Sequence, residues 1–362
     1  MTTTDDRPAT DIDLARVEKF ALKVSGDVSV GGNAILAYLG DRLGLWRSLA
    51  SVPAVTSEEL AGRTGFAERY LREWLAAQAA AGYLEFDPGT RAFRLPPEHA
   101  LVLADEDSLA ASAGGFEFLA ATWASVDQFA GALATGEGIG WDAQDPRLWS
   151  AVERFYRPLY AGSLVPAWLP ALDGVLHKLH AGARVLDIGC GLGTPTVLMA
   201  ETFPNSTFTG IDSHAESIRR ATAAAERAGV ADRVTFRHAA ADEAEGPGYD
   251  LVCFFDALHD MGDPVGALRQ ARAVLADGGV VMAVEPAATD DLHENIHGPM
   301  GLTWFVSSFL ACVPGSLSQP GAAALGAQAG PARLTAAFRE AGFGTARLAA
   351  STPVNLVIEG RV

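Results

Sequence analysis

The chain has 362 residues, of which 49% are hydrophobic and 20% charged, so we expect a globular protein with more than one domain. Its formal net charge of −17 argues against general attraction to nucleic acid or to anionic lipid. Three scattered cysteines predict neither a disulfide framework nor a metal site, and no apolar run has the length of a membrane span. Because the first 13 residues carry no signal-sequence pattern, a cytoplasmic location without membrane attachment is expected.

The N-terminal part predicts a winged helix. Thr56 or Ser57 can cap a helix that has acidic residues in its first turn, and Gly65 supplies the break after it. A second helix follows, and then two alternating segments flank a turn at 87–90. The predicted helices cover 14–24, 34–49, 56–65 and 67–81, and the predicted strands cover 82–86 and 92–95.

Residues 108–180 are again helical in pattern and rich in aromatic side chains. Two interpretations remain open for these aromatics: a packed core or dimer interface, and the lining of a substrate chamber. The set comprises Phe116, Phe118, Trp123, Phe129, Trp141, Trp149, Phe155, Tyr156, Tyr160 and Trp168.

From Ala183 onward the pattern alternates between strand and helix, which predicts an α/β, Rossmann-like, doubly wound parallel sheet. The C-terminal segments 345–350 and 355–360 add a closing hairpin around Pro353. The predicted parallel strands are 183–188, 207–212, 233–238, 250–256 and 279–285.

The first parallel strand runs into the loop Asp187–Gly193, with the pattern G-x-G-x-G. Glycines here permit a tight turn and a close approach of ligand to backbone. A carboxylate before the loop repels a pyrophosphate but suits the ammonium group of an amino acid, which favours S-adenosylmethionine over NAD. The second strand ends in Asp212, where an acid accepts hydrogen bonds from ribose hydroxyls.

Adenine recognition is less defined, because the acid often found near Ala240 is absent and only Asp242 stands nearby. Backbone amides after the third strand are expected beside the adenine ring. The predicted cofactor-binding residues are Asp187, Gly189, Cys190, Gly191, Gly193, Asp212, Ser213, Ala240, Ala241, Phe255 and Asp256.

His259 and Asp260 follow the fourth strand at the edge where doubly wound folds bind ligands. A histidine there is suited to remove a hydroxyl proton near neutral pH, although a lone histidine is often incidental. Glu285, at the end of the fifth strand, either orients His259 or caps a turn before Pro286. The predicted catalytic residues are therefore His259, Asp260 and Glu285.

The segment 286–330 is a long insertion with several large apolar side chains. It either roofs the reaction chamber, which suggests a hydrophobic acceptor, or packs against a dimer partner. The predicted acceptor-binding residues are Phe155, Tyr156, Tyr160, Met300, Trp304 and Phe305.

The run 257–264 (ALHDMGDP) is similar to the His-Asp motif of small-molecule O-methyltransferases of the plant caffeate type, and 182–284 resembles the class I methyltransferase fold. Nearly the whole chain resembles bacterial winged-helix methyltransferases, through 154–158, 167–172 and 316–319. The resemblance implies a seven-stranded sheet, histidine as general base and a winged helix that dimerises. It also implies a second buttressing glutamate, which is missing near Ala332.

Taken together, the sequence predicts S-adenosylmethionine-dependent methylation of a small hydrophobic acceptor, O-methylation being favoured, by a homodimer that releases S-adenosylhomocysteine. One alternative is a winged-helix transcriptional regulator, but residues 1–110 carry 11 basic against 17 acidic side chains. The other is an enzyme of the same fold that binds the cofactor without methylating. The predicted domains are 1–13 (tail), 14–107 (winged helix), 108–180 (linker and chamber helices) and 181–362 (methyltransferase, with a cap at 286–330).

Overall fold

The computed structural model describes residues 12–246 and 248–362 and has two compact units, which meet in sequence between Glu106 and Asp107. This boundary lies one residue from the predicted one. The predicted tail lies outside the described residues except for its last two, of which Asp13 caps the first helix through hydrogen bonds from two backbone amides. The segment 108–180 is part of the second unit and is not a separate linker.

The first unit has the predicted winged-helix order of elements. Where the sequence indicated helical patterns over 14–24 and 34–49, one continuous helix of 29 residues includes the residues between them and ends at Arg42. Its elements are α1 (Leu14–Arg42), α2 (Leu45–Ala50), α3 (Ser57–Thr64), α4 (Glu68–Ala80), β1 (Glu85–Asp87), β2 (Ala92–Arg94) and α5 (Pro97–Leu103).

Helix α3 begins and ends as its sequence predicts. The Thr56 hydroxyl accepts a hydrogen bond from the Glu59 amide (3.2 Å), while the Glu59 carboxylate accepts one from the Thr56 amide (2.8 Å). The helix ends at Gly65, whose φ of 74° is readily available only to glycine. Strands β1 and β2 then pair antiparallel as the wing.

The second unit contains eleven α-helices and one seven-stranded sheet among its described residues. The helices are α6 (Gly114–Ala124), α7 (Val126–Thr135), α8 (Arg147–Ser163), α9 (Val175–Ala181), α10 (Thr194–Thr202), α11 (Ala215–Arg227), α12 (Pro264–Ala273), α13 (Leu292–His297), α14 (Gly301–Ser307), α15 (Val313–Leu317) and α16 (Pro331–Glu340). The strands are β3 (Arg184–Ile188), β4 (Thr207–Asp212), β5 (Val234–His238), β6 (Tyr249–Phe255), β7 (Leu275–Pro286), β8 (Thr345–Ser351) and β9 (Asn355–Arg361).

The sheet has the order β5-β4-β3-β6-β7-β9-β8, which confirms the doubly wound prediction. The first five strands in this order are parallel, and β9 runs antiparallel between β7 and β8. All five parallel strands lie within one residue of prediction at their carboxyl ends. β7 begins earlier than predicted, because Leu275 pairs with Tyr249 before the register shifts.

Buried apolar side chains cover both faces of the sheet, as a sheet that packs helices on each side requires. One face includes Trp168, Leu169 and Phe208, and the other includes Phe254, Leu268 and Phe338. The carboxyl ends of β3, β4 and β6 therefore lie together at one edge of the sheet, where the order reverses between β3 and β6.

Among the described residues no single helix combines the length and apolar character of a membrane span. The helical segments Arg147–Ala171 and Val175–Ala181 together have this length and apolar character, but they are separated by a bend of 109°.

Candidate active site

The three glycines after β3 all have positive φ but differ in their surroundings. A Cβ on Gly189 would lie 2.8 Å from the Ala257 Cβ, and one on Gly193 would lie 2.6 Å from the Phe236 ring. A Cβ on Gly191, with φ of 53°, would meet nothing within 4 Å. Gly189 and Gly193 are thus fixed by packing, whereas Gly191 faces open space.

Asp212, at the end of β4, holds this loop. Its carboxylate accepts hydrogen bonds from the Gly191 amide (2.9 Å) and the His214 amide (2.8 Å). Burial raises the pKa of Asp212, while these backbone hydrogen bonds lower it. The side chain also lines the cavity described below, so one carboxylate contacts both the loop and the space above it.

Asp187 occupies a different position from the predicted one. Its side chain is fully buried and accepts a hydrogen bond from the Thr196 hydroxyl (2.5 Å), while its other oxygen has no partner. Burial raises the pKa of Asp187 to about 7. Asp187 is not among the residues that line the cavity described below.

A cavity of about 860 Å³ extends from the glycine loop along the carboxyl edge of the sheet. This volume is in the range of small-molecule sites. The predicted residues that line it are Gly189, Cys190, Gly191, Asp212, Ser213, Ala240, Ala241, Phe255, Asp256, Asp260, Tyr156 and Tyr160. Further lining residues include Trp141, Trp149, Glu153, Asp242, Arg269 and Gln319.

Two of these further residues are aromatic and lie near the end of β4. The Trp149 ring packs against the His214 ring with centroids 4.3 Å apart and planes tilted by 57°, and its indole N–H donates to the Trp141 carbonyl (3.0 Å). Both tryptophans occur in the aromatic set noted from the sequence, but no local pattern singled them out. Asp242 lines the cavity beside Ala240, where the sequence left the adenine-binding acid undecided.

At the other end of the cavity, Glu285 holds the loop after β6. One oxygen of its fully buried carboxylate accepts from the Leu258 amide (3.1 Å), and the other lies 2.5 Å from Nδ1 of His259. Nε2 of His259 lies 3.1 Å from Oδ1 of Asp260. His259 is 2% exposed and does not line the cavity, whereas Asp260 does.

Ser316 in α15 and Gln319 just after this helix hold the loop after β6. The Ser316 hydroxyl donates to the Met261 carbonyl (2.8 Å), and the Gln319 amide group donates to the Asp260 carbonyl (2.9 Å) and accepts from the Gly262 amide (3.1 Å). The sequence run 316–319 was noted only for a family resemblance. Its role is to hold the backbone that carries His259 and Asp260.

Asp256 directly follows β6 and has a left-handed conformation, with φ of 49°. Its carboxyl group accepts hydrogen bonds from the Tyr160 hydroxyl (3.1 Å) and the Asn355 amide group (3.2 Å). Burial, with Glu285 nearby, raises the pKa of Asp256 well above its usual range. Tyr160 stacks on Tyr156 at 5.7 Å, and burial raises the pKa of both phenols, which therefore stay neutral.

The predicted roof is different from the observed one. Trp304 is buried in a small cluster with Cys312 and Ala327, against which Phe155 and Met300 pack. Together with Phe305, these aromatic and apolar side chains do not line the cavity. The indole N–H of Trp304 donates to the Ala287 carbonyl (3.2 Å), so the cluster ties α14 to the end of β7. Ala311, Gly315 and Gln319 cover the cavity instead.

Two family models match the chain, one in each unit. The description "Methyltransferase domain" applies to residues 179–306, and "Rv2258c-like winged HTH domain" applies to residues 31–105. Residues 179–306 are a methyltransferase domain. Within this domain lie the glycine loop, Asp212 and the Glu285–His259–Asp260 cluster.

Curated relatives match only part of the chain. The 27-O-demethylrifamycin SV methyltransferase of Amycolatopsis mediterranei is 43% identical over 110 residues, covering 30% of this chain and 40% of that protein. The ubiquinone biosynthesis O-methyltransferase of Bordetella pertussis is 34% identical over 137 residues, covering 37% of this chain and 54% of that protein. The matched region thus spans less than two thirds of these relatives.

Solved structures resemble the chain over nearly its whole length. Mitomycin 7-O-methyltransferase MmcR has a TM-score of 0.71 at 21% identity, covering 97% of this chain and 100% of that one. Human N-acetylserotonin methyltransferase in complex with SAM has a TM-score of 0.68 at 16% identity, covering 98% of this chain and 99% of that one. At these identities the likeness establishes the class I methyltransferase fold behind a winged helix.

Proposed function

We propose that this protein transfers a methyl group from S-adenosylmethionine to a hydroxyl group of a small, apolar, aromatic acceptor. The names of the relatives support this class of reaction: one acts in rifamycin, another in ubiquinone and a structural neighbour in mitomycin O-methylation. A match to a methyltransferase domain over residues 179–306 also supports it.

The observation that carries the proposal is one continuous cavity with two chemically different ends. One end has the open face of Gly191 and the carboxylate of Asp212. The other end has Asp260 and, behind it, His259 and Glu285. A bound cofactor and an acceptor hydroxyl are thereby brought side by side, which is the main requirement of methyl transfer.

The cofactor end fits S-adenosylmethionine. The space over Gly191 is one that a Cβ would begin to fill, and Asp212 is available to accept from ribose hydroxyls while it holds the loop. Bound there, the cofactor would supply an electrophilic methyl group on sulfur. Ala240, Ala241 and Asp242 would contact the adenine, with Asp242 as the acceptor for its amino group.

The acceptor end is lined by Tyr156, Tyr160 and Phe255, whose aromatic side chains suit an apolar, aromatic molecule. Burial raises the pKa of Asp256, and its carboxyl group is held in place by Tyr160 and Asn355. The cluster of Glu285, His259 and Asp260 is the only group of neighbouring acid and imidazole side chains at this end of the described cavity. It would remove the acceptor proton, a role the sequence assigned to His259.

A methyl-transfer screen tests the proposal. Purified protein is incubated with S-adenosylmethionine labelled in the methyl group and with a panel of flavonoids, hydroxyanthraquinones and hydroquinones. Label in an organic-extractable product that is methylated on oxygen is the expected result. Binding of the cofactor without transfer to any acceptor would favour the alternative that the cofactor has a structural role, and absence of binding would contradict the proposal.

We further propose that the protein is a homodimer through α1. Much of this helix exposes large apolar side chains, which a second copy would cover. The exposed set comprises Leu14, Val17, Phe20, Leu22, Val24, Val28, Val30, Ile35 and Leu39.

Nucleic-acid binding by the winged helix is not supported by its charges. On α4, Arg69 pairs with Glu73 (2.5 Å) and Arg72 pairs with Glu68 (2.8 Å). Each cation of this helix is therefore balanced within the helix, whereas phosphate binding depends on a basic surface.

A further inference from the structure

We propose that Asp260, and not His259, is the group that accepts the acceptor's hydroxyl proton, and that His259 is a fixed imidazolium that positions Asp260. This inference rests on the proposed methyl transfer and assigns its proton. The sequence assigned the proton to the histidine.

His259 and Asp260 differ in their access to the cavity. The side chain of His259 is 3% exposed, and it does not line the cavity. The side chain of Asp260 is 35% exposed and lines it. A base must reach hydrogen-bond distance of the proton it removes, and of these two side chains Asp260 alone meets the cavity.

Both imidazole nitrogens of His259 have a carboxylate nearby. Nδ1 lies 2.5 Å from Glu285 and Nε2 lies 3.1 Å from Asp260, so each nitrogen has a carboxylate beside it. A carboxylate beside each nitrogen favours the doubly protonated ring by charge, and a doubly protonated imidazole has no lone pair to accept another proton. Glu285 is itself fixed by the Leu258 amide, which keeps the ring from turning.

The charged groups around His259 favour the protonated form of its ring. Burial lowers the pKa of His259, but Asp260 and Glu285 outweigh burial and raise the pKa well above its usual value. The other groups that face the ring are Cys312, whose thiol stays neutral because burial raises its pKa to about 12, and Asp256 and Tyr156. No cationic side chain appears among these neighbours.

The carboxylate of Asp260 can still accept a hydrogen bond from an acceptor hydroxyl. Its Oδ1 is buried and has no aligned hydrogen bond, and it lies against the ring of His259. The exposure of the side chain therefore belongs to its remaining atoms, which leaves Oδ2 for an acceptor hydroxyl. The Asp260 carbonyl is held by Gln319, so the carboxylate is presented from a fixed backbone.

The step balances in atoms and electrons. The acceptor oxygen forms a bond to the methyl carbon, the carbon–sulfur bond breaks with its electron pair going to sulfur, and the hydroxyl proton goes to Oδ2 of Asp260. His259 keeps its two protons throughout and stabilises the carboxylate until the hydroxyl binds.

The first test needs no acceptor. Nitrogen-15 NMR of the histidine-labelled protein reports the protonation of each ring nitrogen, and H259Q identifies the signals of His259. At pH 7 the result expected is an imidazolium, with both nitrogens protonated, whose pKa falls in D260N. A neutral ring with an unprotonated Nε2 at pH 7 would overturn the inference, even if methyl transfer is confirmed.

The second test uses the flavonoid or hydroxyanthraquinone that the screen finds to be methylated fastest. D260N is expected to lower kcat by about 100-fold or more, D260E to restore at least a tenth of it, and H259Q to lose less than D260N. The control is D277N, an exposed aspartate before the parallel part of β7. Turnover of D260N within threefold of wild type, or H259Q as the more impaired variant, would overturn the inference.

Melting temperatures and S-adenosylhomocysteine affinity of each variant separate a folding defect from a chemical one. Wild-type protein that binds no cofactor would refute the proposed function itself. An imidazolium at position 259 together with an active D260N would refute only the assignment of the proton.

Discussion

The three glycines of the cofactor loop permit a matched test at single residues. G191A places its methyl group in open space, so it should lower stability only by the cost of positive φ, about 1 kcal/mol. It should nevertheless weaken S-adenosylhomocysteine binding, because the methyl group projects where the cofactor is proposed. G193A should destabilise the fold by roughly 1–3 kcal/mol, because its Cβ would meet Phe236 at 2.6 Å. Calorimetry and thermal melts of both variants check this, and equal effects on binding and stability would contradict it.

Asp187 provides a test of pH dependence. Burial raises its native pKa to about 7, above the unfolded value near 4, so the native state binds the proton more tightly. This contribution to stability is fully present below the unfolded pKa and is lost as pH rises through about 7. The free energy of unfolding should therefore fall between about pH 4 and pH 7.

The comparison variant is D187N, which removes the titrating group and should flatten this pH dependence by an amount on the order of a few kcal/mol. Asp212 and Asp256 shift in the same direction and should leave a residual slope. D232N, at an exposed site, should leave the slope as in wild type. Urea unfolding at several pH values measures it, and an unchanged slope in D187N would show that the buried carboxyl is not responsible.

For single residues, the sequence predicted which loop positions matter better than it predicted where the side chains of Asp187 and His259 point. Gly191 and Asp212 were predictable because a glycine pattern after a strand and an acid at the end of the next strand are local signals. The orientation of Asp187 depends on Thr196, nine residues later in α10, which donates its hydroxyl to it. The burial of His259 likewise depends on Glu285, which reaches it from another strand.

The proposed homodimer can be tested at helix α1. The double variant F20D/V24D places two charges on its exposed apolar surface, so it should convert a dimer into a monomer without unfolding the second unit. Sedimentation equilibrium measures the mass. The matched variant E18Q/K19Q, on the same helix, should remain dimeric, and a wild-type monomer would contradict the proposal.

The elements of the sheet were predictable and the cover of the cavity was not. Each parallel strand is a short apolar run bounded by turn residues, which is a local pattern. By contrast, Trp304 and Met300 have the composition of a chamber lining but pack into their own small cluster. Gln319 covers the cavity because α15 is held above the loop after β6, a contact between residues about 59 positions apart.

At the scale of the whole molecule, the two units match two different families, and their order in the chain is that of the structural neighbours. The helices of 108–180 belong to the second unit because Tyr160, Trp168 and Leu169 are part of the core beneath the sheet. The same helix that supplies Tyr160 to this core presents Tyr156 and Trp149 to the cavity. The cofactor end of that cavity is therefore the feature on which the proposed function most depends.

Isothermal titration calorimetry with S-adenosylhomocysteine tests this directly. We expect one binding site per chain. Binding should be weakened at least tenfold (about 1.4 kcal/mol) in D212A, because Asp212 holds the loop and faces the ligand. Binding should be unchanged in D232A, an exposed aspartate. Absence of binding by wild-type protein, or equal affinity in D212A, would contradict the account.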